Sequence, residues 1–375
     1  MEITQSNSVD IAIIGGGVAG CTAAIALSNS YNVALIDKLS EPVERVGECL
    51  APAARRIFKQ LGLLDEFEKK INEIHQRNNG MQSYWGSKNV QIVDPLRNPD
   101  GFGWQLNRKE FESFLRKKAV ERSPNCFWSY QLFQCKFENE HWVLTFASTN
   151  EISKKKVIRA KFVIDASGRQ SHFAKKIGVE RQSVDKLISI WATLTNEEIS
   201  TLSTISASQS GWWYTAPLPN KKRIMAFQTD SDLIEHAQLK TKEAFINLAL
   251  CNEQMKTILE KSKNSIQFNG IVAANSTQLK QVTGQQWAAL GDAAISFDPL
   301  SSQGMFNAMA NALQLTDLLT EHQIIFQPNS EKTNQFQREY SEQVNQIWKH
   351  YLHHKRIFYS QELRWSNSEF WKRRR

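Results

Sequence analysis

The start of the chain alternates between apolar runs and small residues. The run VDIAII at residues 9–14 ends in glycines, which is typical of a buried parallel strand. CTAAIALSNS then places small residues at helical spacing, and YNVALIDK predicts a second buried strand. Together these elements predict a βαβ unit about thirty residues long.

Four further patterns follow this unit. Residues 108–122 are helical in pattern, and their apolar positions share one face of the helix. Residues 186–282 predict a mixed or antiparallel sheet, interrupted by a helix around residues 242–259. QQWAALGDA returns to the buried-strand pattern, and a helix follows it. The remaining residues, from about 331, are mostly helical and aromatic in pattern.

These patterns predict an α/β fold in three parts. A discontinuous α/β domain takes residues 1–80, 100–185 and 283–330. A β-rich domain inserted into it takes residues 81–99 and 186–282. A helical C-terminal tail takes residues 331–375.

Composition narrows the class of protein. The chain has 375 residues, 41% of them hydrophobic, which is enough for more than one core. No window approaches the ~18 apolar residues of a membrane span, and the polar N-terminus lacks the pattern of a secretory signal. We therefore expect no membrane partner and a cytoplasmic location. Five scattered cysteines without C-x-x-C spacing predict neither a disulfide framework nor a metal site: Cys21, Cys49, Cys126, Cys135 and Cys251.

The net charge of +8 raises the question of an acidic partner. Much of the excess lies in residues 154–161, in Lys221 and Lys222, and in the terminal KRRR. No arrangement of basic and aromatic residues matches a nucleic-acid-binding module, so we predict no nucleic-acid partner. Scattered solvated lysines are the reading we favour, and a basic surface for an acidic protein or a diphosphate is the alternative.

The glycines after the first strand form the pattern G-x-G-x-x-G in GGGVAG. In this pattern Gly15 permits a tight turn, Gly17 lets the backbone approach a pyrophosphate, and Gly20 allows close packing of the helix. Asp37 ends the second strand, where it is placed to accept hydrogen bonds from a ribose. The combination predicts a dinucleotide site.

Two later strands also end in an acidic residue. Asp165 lies in FVIDASG, and Asp292 lies in LGDAA, where it is placed to bind a polyol chain such as ribityl. Three polar strand ends facing one elongated ligand favour FAD over NAD. A second G-x-G-x-x-G for a resident nicotinamide is missing from the sequence, so NAD(P)H visits transiently or reduced flavin is delivered otherwise.

Several motifs together resemble one superfamily of flavoproteins over about residues 8–320. GGGVAG, VGECLAP, WQLNR, IDASGR and LGDAA…DPLSSQG are similar to motifs of the flavin-dependent tryptophan halogenases and aromatic hydroxylases. The resemblance implies a glutathione-reductase-type FAD-binding Rossmann domain with a β-rich substrate domain and a helical tail. It also implies FAD as the cofactor.

The resemblance implies a set of cofactor-binding positions. Asp37 corresponds to the adenosine-ribose ligand, Asp292 to the ribityl ligand, and residues 302–305 to the loop whose backbone N–H groups face the flavin. A helix N-terminus there stabilises the negative charge of a reduced flavin. The expected cofactor residues are Gly15, Gly17, Val18, Ala19, Gly20, Asp37, Lys38, Arg45, Arg108, Asp165, Gly291, Asp292, Pro299, Ser302, Gly304 and Met305.

The segment GWWYTAP at residues 211–217 carries the candidate substrate pocket. On a strand, Trp212 and Tyr214 share one face and Trp213 takes the other. The first face either lines a pocket for an aromatic substrate or packs between two layers. GWWYTAP resembles the W-x-W-x-I-P motif of halogenases, and FDPLSSQG resembles their halide loop. Halogenases also need a lysine after the GE motif, where this chain offers residues that read as surface lysines: Lys59, Lys69 and Lys70.

A closer resemblance is to flavoproteins that modify a partner's tryptophan to make a quinone cofactor. GWWYTAPLP, FDPLSSQG and the tail YSQELRW…FWKRRR are similar to the maturation flavoproteins of lysine and glycine oxidases with cysteine tryptophylquinone, and of quinohaemoprotein amine dehydrogenase. This resemblance implies an FAD-dependent monooxygenase that hydroxylates a tryptophan of an amino-acid oxidase precursor. O2 and an electron donor such as NAD(P)H are then the other partners.

Glu48 in GECLAP is the first candidate for an acid or base at the ring, although a structural hydrogen bond to backbone explains it as well. His75 and His172 are weaker candidates. Three other functions stay open: a flavin-dependent halogenase or small-aromatic hydroxylase, a prenyl-type reductase, and a flavin-bearing chaperone of an oxidase precursor.

Overall fold

The computed structural model describes residues 7–71, 73–94, 98–151, 153–195, 201–233, 240–262, 265–328 and 330–375. The helices are α1 (Val18–Leu27), α2 (Ala54–Gln60), α3 (Leu64–Glu68), α4 (Arg108–Arg122), α5 (His172–Lys176), α6 (Lys242–Leu250), α7 (Glu253–Lys261), α8 (Gly304–Glu321), α9 (Glu331–Ser360) and α10 (Glu369–Lys372).

The strands are β1 (Asn7–Ile14), β2 (Val33–Asp37), β3 (Cys49–Leu50), β4 (Gln76–Asn78), β5 (Met81–Tyr84), β6 (Gln91–Val93), β7 (Gly103–Gln105), β8 (Cys126–Trp128), β9 (Tyr130–Glu138), β10 (His141–Ser148), β11 (Lys155–Asp165), β12 (Arg181–Ser183), β13 (Leu187–Thr195), β14 (Ser203–Ser208), β15 (Gly211–Leu218), β16 (Lys222–Asp230), β17 (Ile266–Ala273), β18 (Thr277–Leu279), β19 (Thr283–Gly284), β20 (Trp287–Ala289) and β21 (Ile295–Ser296).

The first large sheet has a parallel centre. Its order is β19-β20-β11-β1-β2-β8, and β9 and β10 add an antiparallel hairpin to β11. β1 is buried on both faces, and it contacts α1, whose small residues also pack against α4 and α8. The carboxyl ends of β1, β2, β11 and β20 therefore meet at one edge, which is where ligands bind in open α/β sheets. The predicted α/β class is confirmed.

The second large sheet has the order β17-β13-β16-β15-β14-β5-β6. It is antiparallel except between β14 and β5. One face packs on α6 and α7 through an apolar cluster that includes Ile190, Trp213 and Phe227. The other face is turned toward the first sheet. The domain boundaries given above stay a prediction.

The helix expected around residues 242–259 is two helices. α6 ends before Asn252, whose side chain accepts a hydrogen bond from the Met255 N–H at 3.2 Å and so begins α7. An asparagine side chain competes with the backbone for hydrogen bonds and is therefore favoured at a helix start over a helix interior. The sequence pattern missed this break because the apolar spacing continues across it.

The tail contains the long helix α9, whose aromatic residues recur every three to four positions on one face. Tyr340 donates a hydrogen bond to the Ala289 carbonyl at 2.6 Å, and Tyr359 lies in an aromatic cluster with Trp212 and Trp371. The 30-residue helix, about 45 Å long, thus runs from the first sheet to the second. Within the described ranges no helix is long and apolar enough to cross a membrane.

Candidate active site

A cavity of about 750 Å³ lies between the two large sheets. At one end it is lined by the glycine turn before α1 and the end of β2. At the other end it is lined by β13, β15, β16 and β17, and by the loop that leads into α8. One continuous space therefore joins the predicted nucleotide turn to the predicted substrate strand.

The glycines of the first turn are required at their positions for different physical reasons. A Cβ on Gly20 would lie 1.8 Å from the Gly15 carbonyl oxygen, so Gly20 is required by packing. Gly15 has φ +115 and a Cβ there would lie 2.3 Å from the Ala166 oxygen. Gly17, by contrast, lines the cavity, and a Cβ there would meet no atom within 4 Å. Neither packing nor a left-handed φ explains Gly17, which leaves room for a ligand's close approach.

Asp37 is held in place by the glycine turn and by an arginine. Its carboxylate accepts hydrogen bonds from Gly16 N at 2.6 Å and Leu39 N at 2.7 Å. Arg116 pairs with it at 3.0 Å and also donates to the Gly16 carbonyl at 3.0 Å. The Arg116 guanidinium further lies over the Trp128 ring, 4.4 Å from its centroid. This arginine therefore fixes the turn and the end of β2 relative to each other.

A second arginine, Arg108, lies at the start of α4 and lines the cavity. It donates to the Gly47 carbonyl at 2.6 Å and to Glu112 at 2.5 Å, and its Nε has no partner among the described residues. Arg45 approaches the buried Glu112 at 3.9 Å. Arg108 therefore orders the segment that carries Glu48 and keeps one donor for a ligand.

The loop before α8 is tied to the tail. Asp298 is 1% exposed, and its carboxylate accepts from Leu300 N at 2.9 Å and from the Tyr359 hydroxyl at 2.8 Å. The same Tyr359 hydroxyl accepts from the Trp212 indole N–H at 2.9 Å. Burial raises the pKa of Asp298, against the nearby charge of Lys355. One tyrosine of α9 therefore joins the loop to the substrate strand.

The aromatic end of the cavity contains one buried carboxyl group. Glu48 is 2% exposed; its Oε2 accepts from Gly47 N at 3.1 Å, and its Oε1 has no hydrogen-bond partner within the described part of the chain. Burial raises the pKa of Glu48, and the neighbouring Tyr214 hydroxyl and Gly47 N–H oppose that rise. Burial and the Glu48 charge likewise raise the pKa of Tyr214. The site thus holds a buried carboxyl group that binds a proton more tightly than an exposed glutamate does.

Most of the predicted site residues lie around this one cavity. Those that line it are Gly15, Gly17, Val18, Ala19, Asp37, Lys38, Arg45, Arg108, Asp292, Pro299, Ser302, Gly304, Met305, Glu48, Trp212 and Tyr214. Trp213 packs on the opposite face of its strand, as the alternation predicts. His172 also lines the cavity, whereas His75 is buried behind it and burial lowers its pKa to about 4.

Three predicted cofactor residues do not line the cavity. Gly20 and Gly291 are packed among backbone and alanine side chains. Asp165 is fully buried, and its carboxylate accepts from Phe173 N at 3.0 Å and Ala174 N at 2.9 Å. Its charge is therefore used at the start of α5, where helix N–H groups favour an anion.

The comparisons with known proteins agree with this geometry. A protein-family model described as the FAD binding domain matches residues 8–324. The chain belongs to the FAD-binding-domain family. It is 26% identical over 372 residues to LodB of Marinomonas mediterranea, which is named as an FAD-dependent oxidoreductase, covering 98% of this chain and 97% of LodB.

Two solved structures share the fold of this family member. The myxobacterial chondrochloren halogenase CndH superposes with a TM-score of 0.86 at 20% identity, covering 98% of this chain and 86% of CndH. QhpG, a peptidyl tryptophan dihydroxylase essential for tryptophylquinone cofactor biogenesis, superposes with a TM-score of 0.78 at 18% identity, covering 98% of this chain and 78% of QhpG. The protein is thus an FAD-dependent oxidoreductase that shares its fold with CndH and QhpG, and the FAD cofactor that the sequence motifs predict is confirmed.

The residues around the cavity fit FAD. The N-termini of α1 and α8 both face the cavity, and the residue before each makes no side-chain cap. Their free N–H groups suit a diphosphate at α1 and the flavin ring at α8. Gly304, like Gly17, has no atom within 4 Å of an added Cβ. FAD would be held with its diphosphate at the Gly15–Gly17 turn and its flavin ring at the loop before α8.

Sequence reasoning missed Arg116 and Arg169. Arg169 lines the cavity, lies 3.6 Å from Asp292, and donates to the Phe297 carbonyl at 2.8 Å. A signal for Arg116 was available, since residues 108, 112 and 116 are charged at i, i+4 spacing on α4. Buried charges at that spacing indicate a paired network, here the one behind the glycine turn.

Proposed function

We propose that this protein is an FAD-dependent monooxygenase that hydroxylates a tryptophan side chain in the precursor of an amino-acid oxidase during cysteine tryptophylquinone biogenesis. The observation that carries the proposal is the ring-lined end of the cavity, where Trp212, Tyr214 and the buried Glu48 surround the space beside the loop before α8. The likeness to QhpG supports a protein-bound tryptophan as the substrate.

Each residue of this end has a physical task in such a reaction. FAD supplies the activation of O2 for transfer of one oxygen atom to an aromatic carbon. The Trp212 and Tyr214 rings hold an apolar ring and exclude water from it. Glu48 takes up the proton that leaves the hydroxylated carbon, at the oxygen that has no protein partner. The α8 N-terminus stabilises negative charge on the reduced cofactor.

The lysines distinguish this proposal from halogenation. Among the described residues that line the cavity, the one lysine is Lys38, which directly follows Asp37 at the nucleotide end. Lys59 is exposed on α2, and Lys69 is exposed directly after α3. Lys70 lies over the Phe114 ring, 5.6 Å from its centroid. Among the described residues, no lysine lines the substrate end of the cavity, where it would capture hypohalous acid.

The test is coexpression with a candidate oxidase precursor, followed by intact mass and peptide mapping. We expect the mass of added oxygen on one precursor tryptophan, and Glu48→Gln is expected to slow its appearance by about 10²–10⁴-fold. Glu73→Gln makes the same chemical change at an exposed position and serves as the control. An unmodified precursor in the presence of FAD-loaded protein and a reductant overturns the proposal.

Halogenation remains the second candidate because the loop FDPLSSQG lines the cavity and the chain shares its fold with CndH. The same experiment is repeated with bromide in the medium. A precursor or free indole that gains bromine instead of oxygen supports this candidate and refutes the first.

A further inference from the structure

Four residues form a row across the substrate face of the second sheet. In strand register, Val272 pairs with Ser189, Ser189 with Gln228, and Gln228 with Trp212. Directly opposed residues point to the same face with their Cβ atoms about 5 Å apart. All four line the cavity, so the row places two polar side chains between two apolar ones.

The two polar side chains have atoms without partners. Ser189 and Gln228 are each 1% exposed, and neither Ser189 Oγ nor Gln228 Oε1 has a hydrogen-bond partner among the described residues. Trp212 cannot supply one, because its indole N–H already donates to Tyr359. Buried polar atoms are ordinarily paired, and leaving one unpaired is costly. A pair of such atoms at a ligand cavity indicates groups kept for the ligand.

We propose that Ser189 and Gln228 form a subsite that binds the N–H group of a substrate indole. The inference rests on the proposed function and specifies which part of the substrate the sheet recognises. Both groups are neutral, so they suit a neutral N–H donor better than a carboxylate or an ammonium group. Gln228 Oε1 accepts a hydrogen bond from the indole N–H, and the Ser189 hydroxyl contacts the same N–H group. The Trp212 ring beside them packs against the apolar part of the indole.

The position of this subsite sets the orientation of the ring. Glu48 and Tyr214 lie at the cavity wall formed by β15 and the segment before β3, whereas Ser189 lies on β13, two strands from β15. A ring held by its nitrogen at the Ser189–Gln228 pair turns its carbon edge away from that pair. The subsite thereby selects which indole carbon meets the oxidant, and a naphthyl or N-methylated ring loses the selecting contact.

The test uses the FAD-loaded protein and two probes, N-acetyltryptophanamide and its derivative methylated on the indole nitrogen. Binding is followed by the perturbation of the flavin absorbance spectrum. We expect the wild-type protein to bind the unmethylated probe at least ten-fold more tightly, because a site built to hydrogen-bond an N–H rejects the analogue without it. Gln228→Leu and Ser189→Ala are each expected to reduce the preference below about three-fold.

Ser206→Ala is the matched control. Ser206 is also a buried serine of this sheet, but it pairs with Trp213 on the opposite face and donates to Gln254 at 2.9 Å. Its loss is expected to lower the Tm and to leave the probe preference unchanged. Gln228→Leu is expected to leave the Tm unchanged or to raise it, because it removes an unpaired buried atom.

Several results overturn the subsite: equal binding of the two probes, binding of neither probe, an undiminished preference in both variants, or a fall in Tm for Gln228→Leu as large as that for Ser206→Ala. The proposed function is judged separately by oxygen on the precursor. If the protein discriminates between the two probes but leaves the precursor unmodified, the subsite is supported and the proposed function is refuted. Full oxygen transfer by Gln228→Leu removes the subsite and leaves the proposed function in place.

Discussion

Replacing Gly17 by alanine adds one methyl group at the start of α1. Gly17 has φ −85 and ψ −167, which alanine adopts without strain, and the added carbon meets no protein atom within 4 Å. The new methyl group instead occupies cavity space beside the free N–H groups of α1. We expect a folded protein that binds FAD weakly.

The magnitudes follow from two opposing terms in folding and one in binding. Alanine in place of glycine before the first helical turn costs about 1 kcal/mol, and the lower entropy of the unfolded chain returns about 0.4–1 kcal/mol. The free energy of unfolding therefore changes by less than about 1 kcal/mol. Moving a phosphate away from one backbone N–H loses a charged hydrogen bond of about 1.5–3 kcal/mol, which weakens FAD binding about 10- to 100-fold.

Gly20→Ala is the matched control, one helical turn away. Its Cβ would lie 1.8 Å from the Gly15 oxygen, so the helix must shift away from the strand. Overpacking of this kind costs about 1–3 kcal/mol or more. The two variants are compared by thermal unfolding of the flavin-free proteins and by titration with FAD, followed by quenching of flavin fluorescence.

If Gly17→Ala binds FAD as tightly as the wild-type protein, the diphosphate does not lie on this turn. A second contradicting result is flavin-free Gly17→Ala that unfolds as early as Gly20→Ala. In that case packing, and not the ligand, requires the glycine.

Three further predictions concern buried groups. Burial raises the pKa of Glu48 above 4.5, so the folded protein holds its proton more tightly than the unfolded chain does. The free energy of unfolding should therefore fall as the pH rises from the pKa of the unfolded chain through that of the folded protein. Urea denaturation of Glu48→Gln should show a smaller fall, and identical pH profiles would contradict this. Tyr359→Phe removes the hydroxyl that accepts from the Trp212 indole N–H and donates to Asp298 Oδ2, so we expect a loss of about 1–3 kcal/mol and an altered spectrum of bound flavin. An unchanged Tm and spectrum would show that the link is unimportant. Arg116→Met removes a buried arginine that pairs with Asp37 and donates to the Gly16 carbonyl, and it is expected to cost about 1–3 kcal/mol of stability as well as FAD affinity. A loss below about 0.5 kcal/mol by denaturant titration would refute its role.

A feature could be predicted from the sequence wherever it depends on the periodicity of a single helix or strand. The glycine turn with its flanking strands, the buried face of α4 and the opposite faces of Trp212 and Trp213 could all be predicted from the sequence. Each depends on residues a few positions apart, whose relative directions are fixed by the geometry of a helix or a strand. The break between α6 and α7 could not be predicted from apolar spacing, because an asparagine cap interrupts the helix without interrupting that spacing.

The role of an acidic strand end was not determined by its position alone. Asp37, Asp165 and Asp292 have the same local signal, yet Asp165 is turned into the start of α5 and away from the cavity. Which helix lies beside each strand end decides where a carboxylate points. That neighbour is set by the order of strands in the sheet.

The sequence by itself determined the class of fold, the cofactor and most residues around the cofactor cavity, because these lie in short motifs with a local mechanism. Only the tertiary structure revealed Arg116 behind the glycine turn, the Tyr359 link to Asp298, and the Ser189–Gln228 row. Each of these joins residues far apart in the chain, and their meeting depends on strand register and on where α9 packs. Strand pairing over such separations is decided by the burial of whole faces, which no short stretch of sequence records.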